Sequence, residues 1–249
     1  MKQLFNKFLP TFLRKQLIYQ KYKEYNLDVH KENIKNKCIV QVKCKNKDRY
    51  VFLKRALKKS FGGVINLENH SFYFHPVAII QKPKDIEEYL KFIGAKSRNM
   101  NKKAQKNGIV CREFFWNDYL DDIYAIHHSA TMRQGREMDE AYREYPEKVD
   151  KVQEEDFSIV YLGAFKEDAL IGYVELYIYG NFIMTNRILG HKKYLNFGVM
   201  NLLTKETVLY MLAEDIEYLN YLTMQNRKNN SLSAFKYRVG FREYSLEEL

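Results

Sequence analysis

The stretch Phe182-Ile183-Met184-Thr185-Asn186-Arg187-Ile188-Leu189-Gly190-His191-Lys192-Lys193-Tyr194-Leu195-Asn196-Phe197-Gly198-Val199 decides how the 249-residue chain is read. Phe182 to Leu189 is apolar on both faces (Phe182, Ile183, Met184, Ile188, Leu189), which suits a central strand. A polar loop from His191 to Gly198 follows. Then Val199, Leu202, Leu203, Leu209, Leu212, Ala213 and Ile216 recur at three- and four-residue spacing, the mark of an amphipathic helix. Tyr218 to Met224 is a second short strand, reached through a helical crossover and so expected to run parallel to the first. A strand that delivers a basic, Gly-bearing loop to a helix start offers amides and a positive dipole to an anion. Arg187, Lys192, Lys193, Asn196, Phe197, Gly198 and Val199 are the candidate donor-phosphate site.

Working upstream, Ser158–Phe165, Ala169–Tyr179 and Phe182–Leu189 read as an antiparallel meander with turns at Glu167-Asp168 and Gly180-Asn181. In the middle strand Gly172, Val174, Leu176 and Ile178 alternate against Tyr173, Glu175, Tyr177 and Tyr179. Glu175 is thus an acid among aromatic side chains. It is a candidate base with a carboxyl made less acidic by burial, or else a solvated surface acid. Asn117 and Asp118 are expected to cap a helix that ends at His127-His128. These adjacent histidines face different sides of a helix and give no metal pair, and no metal is predicted. The loop Thr131-Met132-Arg133-Gln134-Gly135-Arg136-Glu137-Met138 carries two arginines whose forks suit carboxylate or phosphate. Arg133, Gln134 and Arg136 are the candidate acceptor-binding residues, with plain surface charge as the alternative.

Asp85 to Gly108 is expected to form one helix, with a cationic far half at Lys96, Arg98, Lys102, Lys103 and Lys106. Earlier still, Ile39–Cys44 and Tyr50–Leu53 read as paired strands around Lys45-Asn46-Lys47-Asp48, and Ser71–Ile80 as a further strand broken near Pro76. Met1 to Tyr25 spaces Phe5, Phe8, Leu9, Phe12, Leu13, Leu17 and Tyr19 among lysines and around Pro10, as in a helix docked on the protein's own sheet or on an anionic surface.

Composition sets the outer limits. No run of eighteen apolar residues offers a membrane span, and the lysine-rich start does not match a signal peptide; a cytoplasmic protein with no integral membrane association is expected. Cys38, Cys44 and Cys111 are odd in number and lack CxxC spacing, so buried free thiols are expected. Residues 1–115 hold 26 Lys and Arg against 9 Asp and Glu (+17), and the remainder 15 against 22 (−7). The basic half can meet nucleic acid, an anionic lipid surface or a nucleotide-bearing substrate, or simply reflect a lysine-rich composition.

The ending, Asn230-Ser231-Leu232-Ser233-Ala234-Phe235-Lys236-Tyr237-Arg238-Val239-Gly240-Phe241, resembles the closing motif of the GNAT acyltransferase superfamily, in which an Asn opens the last helix and Gly-Phe ends it. Phe235-Lys236 before Val239-Gly240 is more specifically similar to Fem-type aminoacyltransferases, as is the segment from Ser97 to Gly108. The resemblance implies an α+β fold with an antiparallel meander, a helical crossover and a splayed parallel strand, over residues 83–249. Residues 1–82 are left as a small basic, β-rich extension. It also implies an acyl donor in the gap between the splayed strands, with an amine acceptor such as an amino sugar or cell-envelope precursor. Lys236 is implied as the residue that stabilises charge at the transferred carbonyl, against the alternative of a solvent lysine. Asn196 stands where the CoA-binding loop of typical members has Gly, so the donor is either acyl-CoA or an acyl group borne on tRNA. A binding module without chemistry, holding RNA or an anionic surface, is the reading from a different class.

Overall fold

The computed structural model describes residues 11–133, 136–224 and 231–249. Gln134, Gly135, Asn230 and the first ten residues, with Phe5, Phe8, Leu9 and Pro10, lie outside the described residues, as do the side chains of Phe12, Leu13, Leu17 and Arg136.

The fold is α+β, built on one large mixed sheet. Seven helices are used below: α1 (Thr11–Lys35), α2 (Lys47–Phe61), α3 (Ile86–Phe92), α4 (Ala95–Lys106), α5 (Leu120–His128), α6 (Val199–Ala213) and α7 (Ser231–Arg238). The strands are β1 (Ile39–Val40), β2 (Val64–Leu67), β3 (His70–Tyr73), β4 (Val77–Gln81), β5 (Ile109–Glu113), β6 (Met132–Arg133), β7 (Arg136–Glu137), β8 (Gln153–Glu154), β9 (Phe157–Lys166), β10 (Ala169–Tyr179), β11 (Phe182–Gly190), β12 (Tyr218–Thr223) and β13 (Arg242–Leu246). The sheet order is β1-β13-β4-β12-β11-β10-β9-β5, with β8 on β9. β11 with β12 and β1 with β13 are parallel, and the other neighbours in the sheet are antiparallel.

The meander and its crossover are as expected, because the alternation along β10 leaves one arrangement of its faces. Val174, Leu176 and Ile178 turn to the core shared with Leu202, Leu203 and Val208 of α6 and Ala104 of α4. Tyr173 packs beneath Ile123 and Ile126 of α5, and Tyr179 beneath Leu53, Leu57 and Phe61 of α2. Two helices therefore share the second face.

Three readings need correction. Tyr50–Leu53 is helical, not a strand: Asn46 caps α2 by accepting from the Arg49 amide at 3.1 Å, and Leu53, Leu57 and Phe61 bury one helical stripe. Tertiary burial at four-residue spacing outweighs the local β preference of Tyr50-Val51-Phe52. The amides of Lys43 and Lys45 donate to the side chains of Asn181 and Asp156 at 2.7 Å, so the segment after β1 is held by side chains and has no strand partner there. Second, Asp85 to Gly108 is two helices. Ile93 and Gly94 are extended, Arg98 donates to the carbonyls of Leu90 and Ile93 that end α3, and Ser97 Oγ donates to Arg238 O at 2.9 Å. The break lets α4 start against the end of α7. Third, Asn117 does not cap α5. It exchanges two hydrogen bonds with the Val149 backbone, at 2.8 and 2.9 Å, and pins the following loop.

β4 also pairs on both sides with strands that follow residue 82, β12 and β13. Among the described residues no helix is long and apolar enough to cross a membrane.

Candidate active site between two parting strands

β11 and β12 pair only over Phe182–Met184 and Tyr218–Asn220, and then separate. The cause lies in β12. Its register against β4 shifts between Asn220 and Thr223, and Leu222 takes a left-handed φ of 53°, a conformation that costs a side-chain-bearing residue about 1 kcal/mol or more. Asn220, fully buried, satisfies the displaced backbone. It accepts from the Leu222 amide at 3.0 Å and donates to the carbonyls of Leu222 and Ala78, each at 3.1 Å. The Lys236 ammonium, on α7, donates to the carbonyls on either side of Leu222, Tyr221 at 2.6 Å and Thr223 at 2.8 Å. It also lies 4.4 Å from the centre of the Tyr221 ring. Lys236 is 4% exposed, and burial pushes its pKa down to about 8.

The separation opens a cleft of about 390 Å³. Ile188 and Leu189 line it from β11 and Tyr221 from β12; Lys192, Leu195 and Met200 close the α6 end, and Phe235 the α7 end. The wall is mostly apolar. Burial raises the Tyr221 hydroxyl to about 12, so it keeps its proton at neutral pH.

The expected donor residues divide. Lys192 to Phe197 form a 3-10 helix that leads to α6. Gly198 has φ 91°, and a Cβ there would meet Met100 O at 2.3 Å, so α6 can begin against α4 only with glycine. Lys192 reaches the cleft, Lys193 lies over Tyr194 and Asn196 is exposed. Phe197 is flanked by the ammonium groups of Lys166 and Lys103, 5.7 and 6.0 Å from its ring. The Val199 side chain is wholly buried and packs against Gly172. Arg187 is placed elsewhere. It opposes Glu175 across the β10–β11 ladder and pairs with it at 2.5 Å, beneath the Trp116 ring at 5.4 Å.

Glu175 is 2% exposed and fully engaged: besides Arg187 it accepts from Asn186 Nδ2 at 2.7 Å and from Tyr161 Oη at 3.3 Å. The solvated alternative is ruled out. Neither Glu175 nor Lys236 lines the cleft. Lys236 stands behind Tyr221, and Glu175 lies beneath the aromatic layer of Trp116, Tyr161 and Tyr173.

Arg133, expected as a free fork, is committed to the fold. It donates to Gly190 O and Ile126 O at 3.0 Å and to Ser129 Oγ at 3.2 Å, tying β6 to α5 and the end of β11. It still contributes to the cleft wall. Beside it, His127 is buried, with Nε2 2.7 Å from Tyr173 Oη. Burial, with the charges of Arg187, His128 and Arg133, holds its pKa down to about 4. Tyr142 packs its ring against His127 at 4.8 Å, and the charges of Arg187, Glu175 and Arg133 all act on its hydroxyl. Sequence reasoning missed Tyr221, Tyr142 and Asn220. Only Asn220 carried a signal, as the one polar residue in the apolar run Tyr218-Leu219-Asn220-Tyr221-Leu222. Among the described residues no cluster of three or more His, Cys, Asp or Glu gathers to hold a metal.

No protein-family model matches the sequence, and no curated protein matches it. Solved structures do. FemX is similar over 80% of this chain and 67% of its own, with 11% identity and a TM-score of 0.54. The C-terminal domain of a putative lysylphosphatidylglycerol synthetase from Agrobacterium fabrum matches 69% of this chain at 10% identity and a TM-score of 0.47, and this chain spans 58% of its length. A tandem GNAT protein from the clavulanic acid biosynthesis pathway matches 36% of this chain at 17% identity and a TM-score of 0.31, over 30% of its own length. The chain shares the FemX fold, a GNAT-like mixed sheet with parting parallel strands.

Proposed function

We propose that the protein is an N-acyltransferase that takes an acyl group from a thioester donor seated between β11 and β12 and passes it to an amine. One observation carries this reading: the ladder between β11 and β12 ends after three residue pairs, and an apolar cleft opens there toward the start of α6. A strand edge freed from its neighbour offers backbone amides to an acyl carbonyl, and the loop before α6 offers amides, a helix dipole, Lys192 and Lys193 to donor phosphates. The amine attacks the carbonyl carbon, the new C–N bond forms, and the tetrahedral oxyanion collapses with loss of the thiolate. The proton leaves the nitrogen and ends on sulfur.

Tyr221 lines the cleft with its proton in place and is our choice to hydrogen-bond the departing sulfur. Lys236 acts through Tyr221 as a positioning residue, since its ammonium is held by two backbone carbonyls. Glu175 fixes Arg187 and sets the field around Tyr142 on the acceptor side. Acceptors in keeping with this arrangement are small amines or amino-sugar precursors of the cell envelope.

A second reading, in which the acyl group arrives on tRNA, is favoured by the lysines that surround Phe197. Titration of the purified protein with CoA and acetyl-CoA, and separately with tRNA at two salt concentrations, decides between them. Micromolar acetyl-CoA binding supports the thioester donor, and steeply salt-dependent tRNA binding in its absence supports the second reading.

A further inference from the structure

A second cavity of about 390 Å³ adjoins the cleft, and Ala130 and Met132 line both. Its walls include His127, His128, Tyr142 and Glu137. The Nδ1 of His127 is buried and has no hydrogen-bond partner among the described residues, on a side chain only 4% exposed. A buried, unsatisfied ring nitrogen costs about 1–3 kcal/mol, so the inner wall of the cavity holds a polar atom that the fold itself leaves unpaired among the described residues.

Outside the cavity mouth the rings continue. His128 packs on Tyr124 with centroids 4.0 Å apart and the rings tilted by 38°, and Tyr124 on Tyr145 at 5.4 Å and 43°. Tyr124 is 37% and Tyr145 51% exposed, and Asp121 fixes the Tyr145 hydroxyl at 2.8 Å. A row of exposed rings that leads into a cavity is a stacking platform. Its setting is acidic: residues 118–156 hold twelve Asp and Glu against five Lys and Arg. Such a field repels a nucleic-acid backbone and favours a neutral or cationic ligand. Glu137 sits in the cavity wall, and its pairing with Arg143 is loose, at 3.8 Å.

We infer that this cavity and ring platform bind an oligosaccharide that carries free amines, with sugar faces packed on His128, Tyr124 and Tyr145, and an ammonium group near Glu137. As the acceptor seat this rests on the acyltransferase reading; as a binding site it stands without it. The test is calorimetric titration, with no donor present, of the native chain with β-1,4-linked tri-glucosamine, and with a trinucleotide for comparison. The expected result is tri-glucosamine binding with Kd below about 1 mM, weakened about tenfold in Tyr124→Ala and less in Tyr145→Ala, both surface changes. Absence of tri-glucosamine binding, affinity in both variants equal to that of the native chain, or preference for the trinucleotide overturns the inference. Acetyl-CoA titrated into the same preparation reads the other cleft separately. Saccharide binding without acetyl-CoA binding upholds this site and removes the acyl-CoA reading, and the opposite pair of results removes the saccharide site alone.

Discussion

The two ends of the site differ in charge and in what builds them. The loop before α6 is basic, with Lys192, Lys193, Lys103 and Lys166 around Tyr194 and Phe197, and is made of backbone turned toward solvent at a helix start. The region around α5 and β6–β7 is acidic and aromatic, and two of the cations beside it, Arg133 and Arg187, are spent on carbonyl oxygens and on Glu175. Both strands of the gap, with Lys166, Lys192 and Lys193, belong to the −7 part of the chain, and Lys103 reaches the basic end from the +17 part. A donor with phosphates and an acceptor with an amine are opposite in charge, and a site with opposite ends keeps each from occupying the other's place.

The two ends are separated by the bulge in β12 around Leu222. Asn220→Leu strands the Leu222 amide and the Ala78 carbonyl in the core, and should lower unfolding free energy by about 4 kcal/mol in urea denaturation. A loss below about 1 kcal/mol would show that the bulge does not depend on this side chain.

Lys236 sharpens the same point through pH. Its folded pKa, about 8, lies below the ordinary 10.5, so between those values the unfolded chain holds the proton that the folded chain has released. Stability should therefore rise by about 3 kcal/mol from pH 8 to pH 10.5 relative to a Lys236→Met variant, as read from paired denaturation curves. Acyl transfer by that variant should fall by about a hundredfold, because Tyr221 loses its support; an unchanged kcat would separate Lys236 from the chemistry.

On the acidic side the same sign holds in a lower pH window. His127 is held near 4 by burial, below its ordinary 6.5, and is neutral in the fold. As pH falls from 6.5 to 4 the unfolded chain takes up a proton that the folded chain refuses, and about 3 kcal/mol of stability is lost. A His127→Gln variant, which cannot titrate, should lack that part of the acid sensitivity.

The smallest effect belongs to the basic end. Lys192→Ala with Lys193→Ala removes two exposed charges, and should weaken donor binding by about 1 kcal/mol at low salt and less at high salt. Equal weakening at both salt concentrations would mean that the lysines act by shape.

How much of this was legible in the sequence follows from the range of the forces. β9, β10, β11, α6 and β12 were readable because alternation and three-to-four spacing are local records of burial. α2 was misread because its aromatic and β-branched start resembles a strand, while the buried stripe that makes it helical appears only over fifteen residues. The pairing of Glu175 with Arg187 was hidden by one irregularity. A regular ladder from the Tyr179–Phe182 pair would set Glu175 opposite Asn186, and the shift between Glu175 and Leu176 moves it to Arg187. The engagement of Arg133 and Lys236 with carbonyl oxygens is set by contacts distant in sequence, which no spacing encodes. Lys236 was found only through a resemblance; its ammonium donates to the Tyr221 and Thr223 carbonyls, and its support of Tyr221 is part of the proposed function.

In the proposed function the gap between β11 and β12 seats an acyl donor. It is tested most directly by calorimetric titration of acetyl-CoA into the native chain and into Leu195→Trp, a change at a partly exposed residue that fills the cleft wall. The account predicts micromolar binding to the native chain and at least a tenfold loss in the variant, about 1.4 kcal/mol. No heat of binding from the native chain, or equal affinity in the two proteins, would contradict it.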